Sequence, residues 1–397
     1  MDGMILYSKI IFWTGLFVVF YTYMGYGIVM FFSVKVKRLV KGRRKTSDTD
    51  YQPEVSFVVP CYNEAEVIES KIKNSIELDY PKDKLKIIFI SDGSNDGTPE
   101  IVKQYEDILL LHEDQRDGKS AAENRAMKHV TSPIVVFSDA NTILPKETIK
   151  EIVKHYADPL TGAVSGEKRI MSKEVTTASS AGEGVYWKYE SFLKRMDSEM
   201  STIVGAAGEL FSFRKELFTD LETDTILDDF MLSMRIAEKG YRVVYEPNAY
   251  ALETASASVR EELKRKVRIC AGGWQSMSRL ISAMNPFKNF WLAFQFISHR
   301  VLRWSITPVL LLLMLPANGL LFFEHYVYQV IFSAQVLFYI SAMIGWYLAN
   351  RELRVKLLFV PYYFFIMNYA VFAGFIRYVK GSQSAAWERS KRGAVIS

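Results

Sequence analysis

Two patterns of hydrophobic and polar positions alternate along the chain. Four stretches carry no Asp, Glu, Lys or Arg and are long enough to cross a bilayer: 10–34, 304–323, 326–349 and 357–376. Between the first and the second, short apolar runs (VSFVVP, LKIIFIS, ILLLH, IVVFSD) are separated by helical stretches. That alternation predicts an α/β domain with a mostly parallel sheet and crossover helices. The first apolar stretch is too long for a signal peptide and lacks a small-residue cleavage site, so it reads as a signal anchor. The expected layout is an anchor at 1–34, a basic cytosolic linker at 35–52 and the α/β domain at 53–257. Amphipathic interface helices at 258–303, transmembrane helices at 304–379 and a basic tail at 380–397 follow.

Composition sharpens this picture. Hydrophobic residues make up 49% of the 397 positions and mean hydropathy is +0.04, apolar for a soluble enzyme and too polar for a pure transporter. The spans contain no ionisable group of the kind that ion-coupled transport needs. The net charge of +5 gathers beside apolar spans, as in KVKRLVKGRRK (35–45) with its seven basic residues. Such placement favours anionic lipid headgroups over nucleic acid. The positive-inside rule puts this run and NRELRVK (350–356) in the cytoplasm, and the N-terminus and the 324–325 link outside. A full fourth crossing would place the tail, with Arg389, Lys391 and Arg392, outside. Either the rule fails at this end or 357–376 does not fully cross. Cys61 and Cys270 show no metal spacing and read as free thiols of a reducing compartment. No pattern speaks to oligomeric state.

Candidate chemistry gathers where strands end. IVVFSDAN (134–141) runs from four apolar residues into Asp139, and ligands bind at the carboxyl ends of strands in open α/β sheets. An acid there can hold a hard divalent cation that neutralises a diphosphate, and Asn141 would add a neutral oxygen on the same side. Taken alone, a solvent-facing acid explains it as well. The first strand leads into CYNE and the second into SDGSNDGT (91–98), a Gly/Asn/Asp turn. Asp92 there could accept from a base or ribose, whereas Asp96 and Thr98 read as a helix cap. In DQRDGKSAAENRAM (114–127), Gly118 and Lys119 open a helix whose free N–H groups would help the lysine approach a phosphate. No GxGxxG follows a strand and no Walker lysine motif is present, which disfavours a dinucleotide dehydrogenase.

VVPCYNE, SDGSNDGT, GKSAAENRAM and the strand ending in SDAN, in this order, resemble the nucleotide-binding half of GT-A glycosyltransferases. They resemble in particular the inverting family-two group that includes cellulose, chitin and hyaluronan synthases. The resemblance continues through GAAGELFSFRKEL (205–217) and TILDDFMLSMRIAEKGYRVVYEP (225–247) and covers roughly 53–279. It implies a cytosolic, Rossmann-like GT-A domain with flanking transmembrane helices, in a multi-pass plasma-membrane enzyme. The donor would be a UDP-sugar, the cofactor Mg²⁺ or Mn²⁺, and the acceptor a saccharide or a lipid-linked glycan.

The resemblance also implies roles. Tyr62, Glu64 and Asp92 would serve the nucleotide, with Asp92 at the uridine, and Lys119 would lie near the phosphates. Asp139 would bind the metal. The family commonly has a second Asp where Asn141 stands, and one carboxylate plus substrate phosphates is still an acceptable magnesium shell. Gly205 and Gly208 would shape the acceptor loop, supported by Phe213 and Arg214. Asp229 would be the general base, with Asp228 orienting the site. The amphipathic stretch 260–277 reads as a membrane-surface helix. It also resembles the synthases' Gln-x-x-Arg-Trp motif, with Arg265 at the Gln, Arg268 at the Arg as diphosphate ligand, and Ile269 at the Trp. Trp274 follows five residues later. The product would be a β-linked extracellular polysaccharide. Alternatives are one sugar added to a polyprenyl-phosphate or lipid-linked acceptor, and a non-catalytic scaffold or transporter carrying a nucleotide-binding domain.

Overall fold

The computed structural model describes residues 2–42, 50–171, 178–254, 259–349, 351 and 355–384. Its centre is one sheet of seven strands in the order β3-β2-β1-β4-β6-β5-β7. These are β1 (Val55–Cys61), β2 (Leu85–Asp92), β3 (Ile108–Glu113), β4 (Ile134–Ser138), β5 (Thr161–Met171), β6 (Leu210–Arg214) and β7 (Arg242–Thr254). Strands β1 to β4 pair in parallel, β6 runs antiparallel to β4 and β5, and β5 pairs in parallel with β7. The sheet is thus mostly parallel, as the apolar runs predict. Every residue of β1 and β4 is buried, because helices cover both faces and an unbroken apolar strand has no solvated side. β5 escapes that signal: Glu167, Lys168 and Arg169 sit in its second half.

Two apolar clusters flank the sheet. One holds Phe57, Ile68, Ile72 and Ile152; the other holds Phe137, Phe211, Phe213 and Phe230 together with Phe296 and Trp304. The second cluster therefore joins the α/β domain to the helix that approaches the membrane.

Asp2–Lys41 is a 40-residue helix, interrupted by a π-helical turn at Tyr21–Gly25. Tyr326–Ala349 and Leu357–Val379 are also long and apolar enough to cross a membrane. The expected span at 304–323 is corrected. Trp304 closes the preceding helical segment, Ser305 breaks it with φ −133° and ψ −79°, and Ile306–Leu320 continues at a 49° bend. Pro308 explains the break, because its ring clashes with the carbonyl of residue 304 and it offers no N–H. Fifteen helical residues reach only about 22 Å, short of a core of about 30 Å. Phe290–Trp304 and Ile306–Leu320 therefore make at most one broken crossing, whose first half ends the stretch expected as interface helices at 258–303.

The last helix, Lys356–Val379, lies along the amphipathic helix Val259–Arg279. Leu263 packs with Phe359 and Ile366, Val267 and Cys270 pack with Ala370 and Val371, and the Tyr378 hydroxyl donates to Ser278 Oγ at 2.9 Å. Gly374 permits this approach, since a Cβ there would stand 2.6 Å from that of Cys270. Most of the 350–356 loop and the tail from 385 lie outside the described residues.

Candidate active site

β4 delivers Asp139 to the carboxyl edge of the sheet. The helix Lys119–Met127 starts beside it, and the helix Asp228–Glu238 starts across from it. Lys119 ties the three together: its Nζ is 3.1 Å from Asp139 Oδ1, 3.2 Å from Asp228 Oδ2 and 3.8 Å from Glu123 Oε1. Asp139, Asp228 and Asp229 line one cavity of about 810 Å³, along with Gly205, Gly208, Arg265 and Arg268.

The electrostatics separate these groups. Burial disfavours the Lys119 charge, yet Asp139, Asp228 and Glu123 hold its pKa well above the lysine range. Burial raises Asp139, with Lys119 opposing. Burial and the Asp228 charge push Glu123 well up. For Asp228, burial is outweighed by Lys119 and a backbone hydrogen bond, so its pKa is lowered. Asp229 is raised to about 7 by burial and by neighbouring Asp228. Two adjacent carboxyls with pKa values pushed apart can divide an orienting role from a proton-accepting one.

Two glycines bring the 205–208 loop against this helix. Gly205 has φ +82°, and a Cβ there would fall 2.2 Å from the Phe230 ring. A Cβ on Gly208 would meet Asp229 Oδ2 at 3.2 Å. Only glycine accepts both the left-handed backbone and the contact at 205.

The other expected residues are placed as follows. Arg265, Arg268 and Ile269 line the cavity, and Arg268 donates to the Ile226 carbonyl at 3.4 Å. Trp274 is off the cavity wall and packs on Phe375 at 4.7 Å between ring centres. It does not replace the tryptophan that Ile269 lacks. Asp92 faces the turn before Lys119, accepting from Gly118 N at 2.7 Å, Asp117 N at 3.3 Å and Arg125 Nη2 at 2.7 Å. Tyr62 lies 3.8 Å under the Arg116 guanidinium. Glu64 precedes the helix Ala65–Ile76, its N–H bonded to Thr98 Oγ1 at 2.9 Å. None of Asp92, Tyr62 and Glu64 is on the cavity wall. Asp96 does cap, accepting from Thr98 N and Ala65 N, each at 3.0 Å.

Phe213 and Arg214 are off the cavity wall. β6 runs away from the site, with Leu210 opposite Ser138 and Arg214 opposite Ile134. Phe213 is core, and Arg214 holds the carbonyls of Thr161, Tyr156 and Asp158.

Lys168, Glu209 and Glu253 reach the site without a role from the motifs. Lys168 pairs with Glu209 at 2.5 Å and with Glu253, and Arg265 lies 3.7 Å from Glu253. All four line the cavity. A lysine within β5 and an acid inside GAAGEL were the available signals. Behind Asp139, Lys71 is wholly buried and donates to Ser138 Oγ at 2.8 Å, Thr142 O at 3.0 Å and Thr142 Oγ1 at 3.1 Å. Its signal was spacing: Ile68, Lys71, Ile72 and Ser75 share one buried helix face.

For a cation, the donor set is small. Among the described residues no three His, Cys, Asp or Glu side chains converge as a metal cluster. Asp139 stands just past the end of β4 and already meets the Lys119 charge. Asn141 is half-buried in the following turn and is not on the cavity wall. Such a set suits an ion whose shell is completed by phosphate oxygens and water.

Residues 56–221 match the family model described as Glycosyl transferase family 2. That segment is thus similar to family 2 glycosyltransferases. Poly-beta-1,6-N-acetyl-D-glucosamine synthase of Staphylococcus aureus is 28% identical over 274 residues, covering 66% of this chain and 65% of that protein. The enzyme of the same name from Staphylococcus epidermidis is 27% identical over 263 residues, covering 64% and 62%. The chain thus spans just under two thirds of these relatives. The solved structure of mannosyltransferase PcManGT from Pyrobaculum calidifontis, in complex with GDP-Man and Mn²⁺, aligns with a TM-score of 0.70 and 26% identity. That alignment covers 94% of this chain and 99% of that one. The GT-A architecture expected of such a domain is therefore present, and the likeness extends over the membrane helices.

Proposed function

We propose that this chain is a membrane-bound inverting glycosyltransferase that moves a sugar from a UDP-sugar to a growing β-linked extracellular polysaccharide. One observation carries the reading: a single cavity holds Asp139, Lys119 and the Asp228–Asp229 pair at one end and is bordered at the other by Tyr23, Phe364 and Asn368 of the membrane helices.

Lys119 and Arg268 take the donor diphosphate, with Arg265 beside them. Mg²⁺ or Mn²⁺ on Asp139, with Asn141 nearby, would supply further charge neutralisation of the leaving group. Asp229 takes the proton of the acceptor hydroxyl as it attacks from the face opposite the nucleotide. Asp228, held ionised by Lys119, orients the site. Asp92 acts by holding the Gly118 turn, and Gly205 and Gly208 let the acceptor approach the backbone. The staphylococcal relatives' name supports a β-linked polymer of an N-acetylhexosamine.

A second reading, one sugar added to a polyprenyl-phosphate or lipid-linked glycan, is favoured by the apolar membrane-side wall of the cavity. In either reading the α/β domain is cytoplasmic. Crossings by the first helix, the broken pair and Tyr326–Ala349, with the last helix packed along Val259–Arg279 and not crossing fully, keep the basic tail inside.

The test is nucleotide release by the purified protein in detergent, with Mg²⁺ or Mn²⁺. Donors to screen are UDP-glucose, UDP-N-acetylglucosamine, UDP-galactose, UDP-glucuronate and GDP-mannose, with product sizing. A ladder of lengths supports the polymer, a single addition moves the assignment to the second reading, and no release from any donor overturns both.

A further inference from the structure

One acid beside the Asp228–Asp229 pair has no part in the chemistry above. Glu123 lies one turn after Lys119 on the helix Lys119–Met127, and it is only 1% exposed. The rest of that helix's buried face is Ser, Ala and Met. Phe137, Phe211 and Leu232, all core residues, line the recess that Glu123 shares with Asp228 and Asp229. An apolar side chain would fill this place at a lower desolvation cost, so packing alone does not account for an acid.

Three groups face Glu123. Lys119 Nζ stands 3.8 Å from Oε1, too far for a hydrogen bond, and that buried oxygen accepts none among the described residues. The Asp228 carboxyl is hydrogen-bonded to Glu123, and the Asp229 charge also acts on it. Two carboxyls share a hydrogen bond only when one of them carries a proton. Burial and the Asp228 charge put that proton on Glu123, whereas Asp228, despite its own burial, is kept ionised by Lys119. Asp228 therefore has two supports: a cation in front and a neutral acid behind. In the transfer reading the cation is also a diphosphate ligand. Once Lys119 turns to phosphate, Asp228 stays buried beside the like charge of Asp229 and depends on the support behind.

We propose that Glu123 is a positioning residue, a neutral acid whose O–H holds Asp228 ionised and in place while Lys119 is engaged by the donor diphosphate. This rests on the glycosyl-transfer reading. Glu123 touches no substrate and keeps its proton throughout; it acts through Asp228 on Asp229. The charged groups around Asp229 are Asp228 on its own helix, Lys119 and Glu123 on the helix opposite, Glu209 just before β6, and Lys194 on the helix Ala178–Met200. Substitution of Glu123 leaves the last two in their surroundings.

The test uses the full chain in detergent and compares Glu123→Leu with Glu123→Gln, whose amide N–H replaces the O–H. Infrared spectra at about pH 9, where an ordinary carboxyl is ionised, should show a carboxylic-acid C=O band in the parent that both variants lose. UDP binding should weaken by about tenfold in Glu123→Leu, the worth of a hydrogen bond to a charged group, and recover in Glu123→Gln. With UDP-N-acetylglucosamine as donor probe, the acid limb of kcat should move to lower pH in Glu123→Leu. There Asp228 takes up a proton once Lys119 has turned away, and its like charge no longer raises Asp229. The limb of kcat/KM, which reports the free enzyme, should move less. Leucine suits the apolar neighbours, and a thermal melt checks that the variant is folded. A parent without the band, a Glu123→Leu protein with parental UDP affinity, or a Glu123→Gln protein as impaired as Glu123→Leu overturns the assignment. Absence of turnover with every donor sinks the transfer reading instead, and the band and the UDP titration still decide the role of Glu123.

Discussion

Two lysines flank the end of β4, and their surroundings are opposites. Lys119, on the cavity side, meets three carboxylates, and its charge is strongly favoured. Lys71, on the sealed side, donates to hydroxyls and a carbonyl and lies over the Phe57 ring, and burial, opposed by the Asp139 charge, lowers its pKa to about 7. The cavity side is a charged arrangement that an incoming donor can rearrange. The sealed side is a fixed brace on the Ser138–Thr142 turn, which carries Asp139. One strand end thus joins a reactive front to a passive back.

The largest effect should come from the front. Asp229→Asn should cut sugar transfer by about 10²–10⁴-fold while UDP still binds, as measured by single-turnover product formation and a binding titration. In the parent protein kcat/KM should rise with pH through an acid limb near 7, where Asp229 loses its proton. Asp228→Asn should move that limb to lower pH, because the like charge that raises Asp229 is gone. A limb that stays in place would separate the two acids and end the pairing.

Lys119→Met should weaken UDP binding by about 10–100-fold, the worth of a hydrogen bond to a charged group. It should also lower the thermal midpoint, since Asp139 and Asp228 are left buried beside one another without their shared cation. Unchanged UDP affinity would mean that Lys119 serves only the resting fold.

The smallest effect is expected at the back. Lys71→Met should change stability at pH 7 by no more than about 1–2 kcal/mol, as an apolar chain of similar length replaces a buried amine. Its signature is the pH dependence. The folded pKa of Lys71 lies near 7, below the ordinary 10.5. Between these values the unfolded chain holds more protons, so this group makes stability rise with pH by up to about 1.4 kcal/mol per unit. Melts between pH 7 and 10 should show that slope in the parent and lose it in Lys71→Met. A slope that survives would place the titration elsewhere.

The front was largely legible and the back was not, for a physical reason. Asp139, Lys119 and Asp228–Asp229 stand at junctions of apolar runs and polar turns, where chemistry announces itself in one dimension. Lys71 sits inside an ordinary amphipathic helix and contacts residues about seventy positions away. Lys168 lies in a strand too charged to read as core, because that strand's second half borders the cavity. Phe213 and Arg214 lie off the cavity wall because β6 runs away from the sheet edge that carries Asp139, a direction that closeness in sequence to the 205–208 loop does not reveal. The membrane helices were found by composition alone. The break at Ser305 needed Pro308 to be read as a stop signal within an otherwise continuous apolar run.

The long side-by-side contact of Val259–Arg279 with the last helix has one more consequence. Arg265 and Arg268 ride on the first of these helices, and the second presents its apolar side to lipid. A thicker or thinner bilayer shifts the resting depth of an apolar helix, and the partner fastened along its length must follow. These two cavity-lining arginines are thereby mechanically connected to acyl-chain length, so turnover in vesicles should vary with lipid species even when headgroup and donor concentration are held constant.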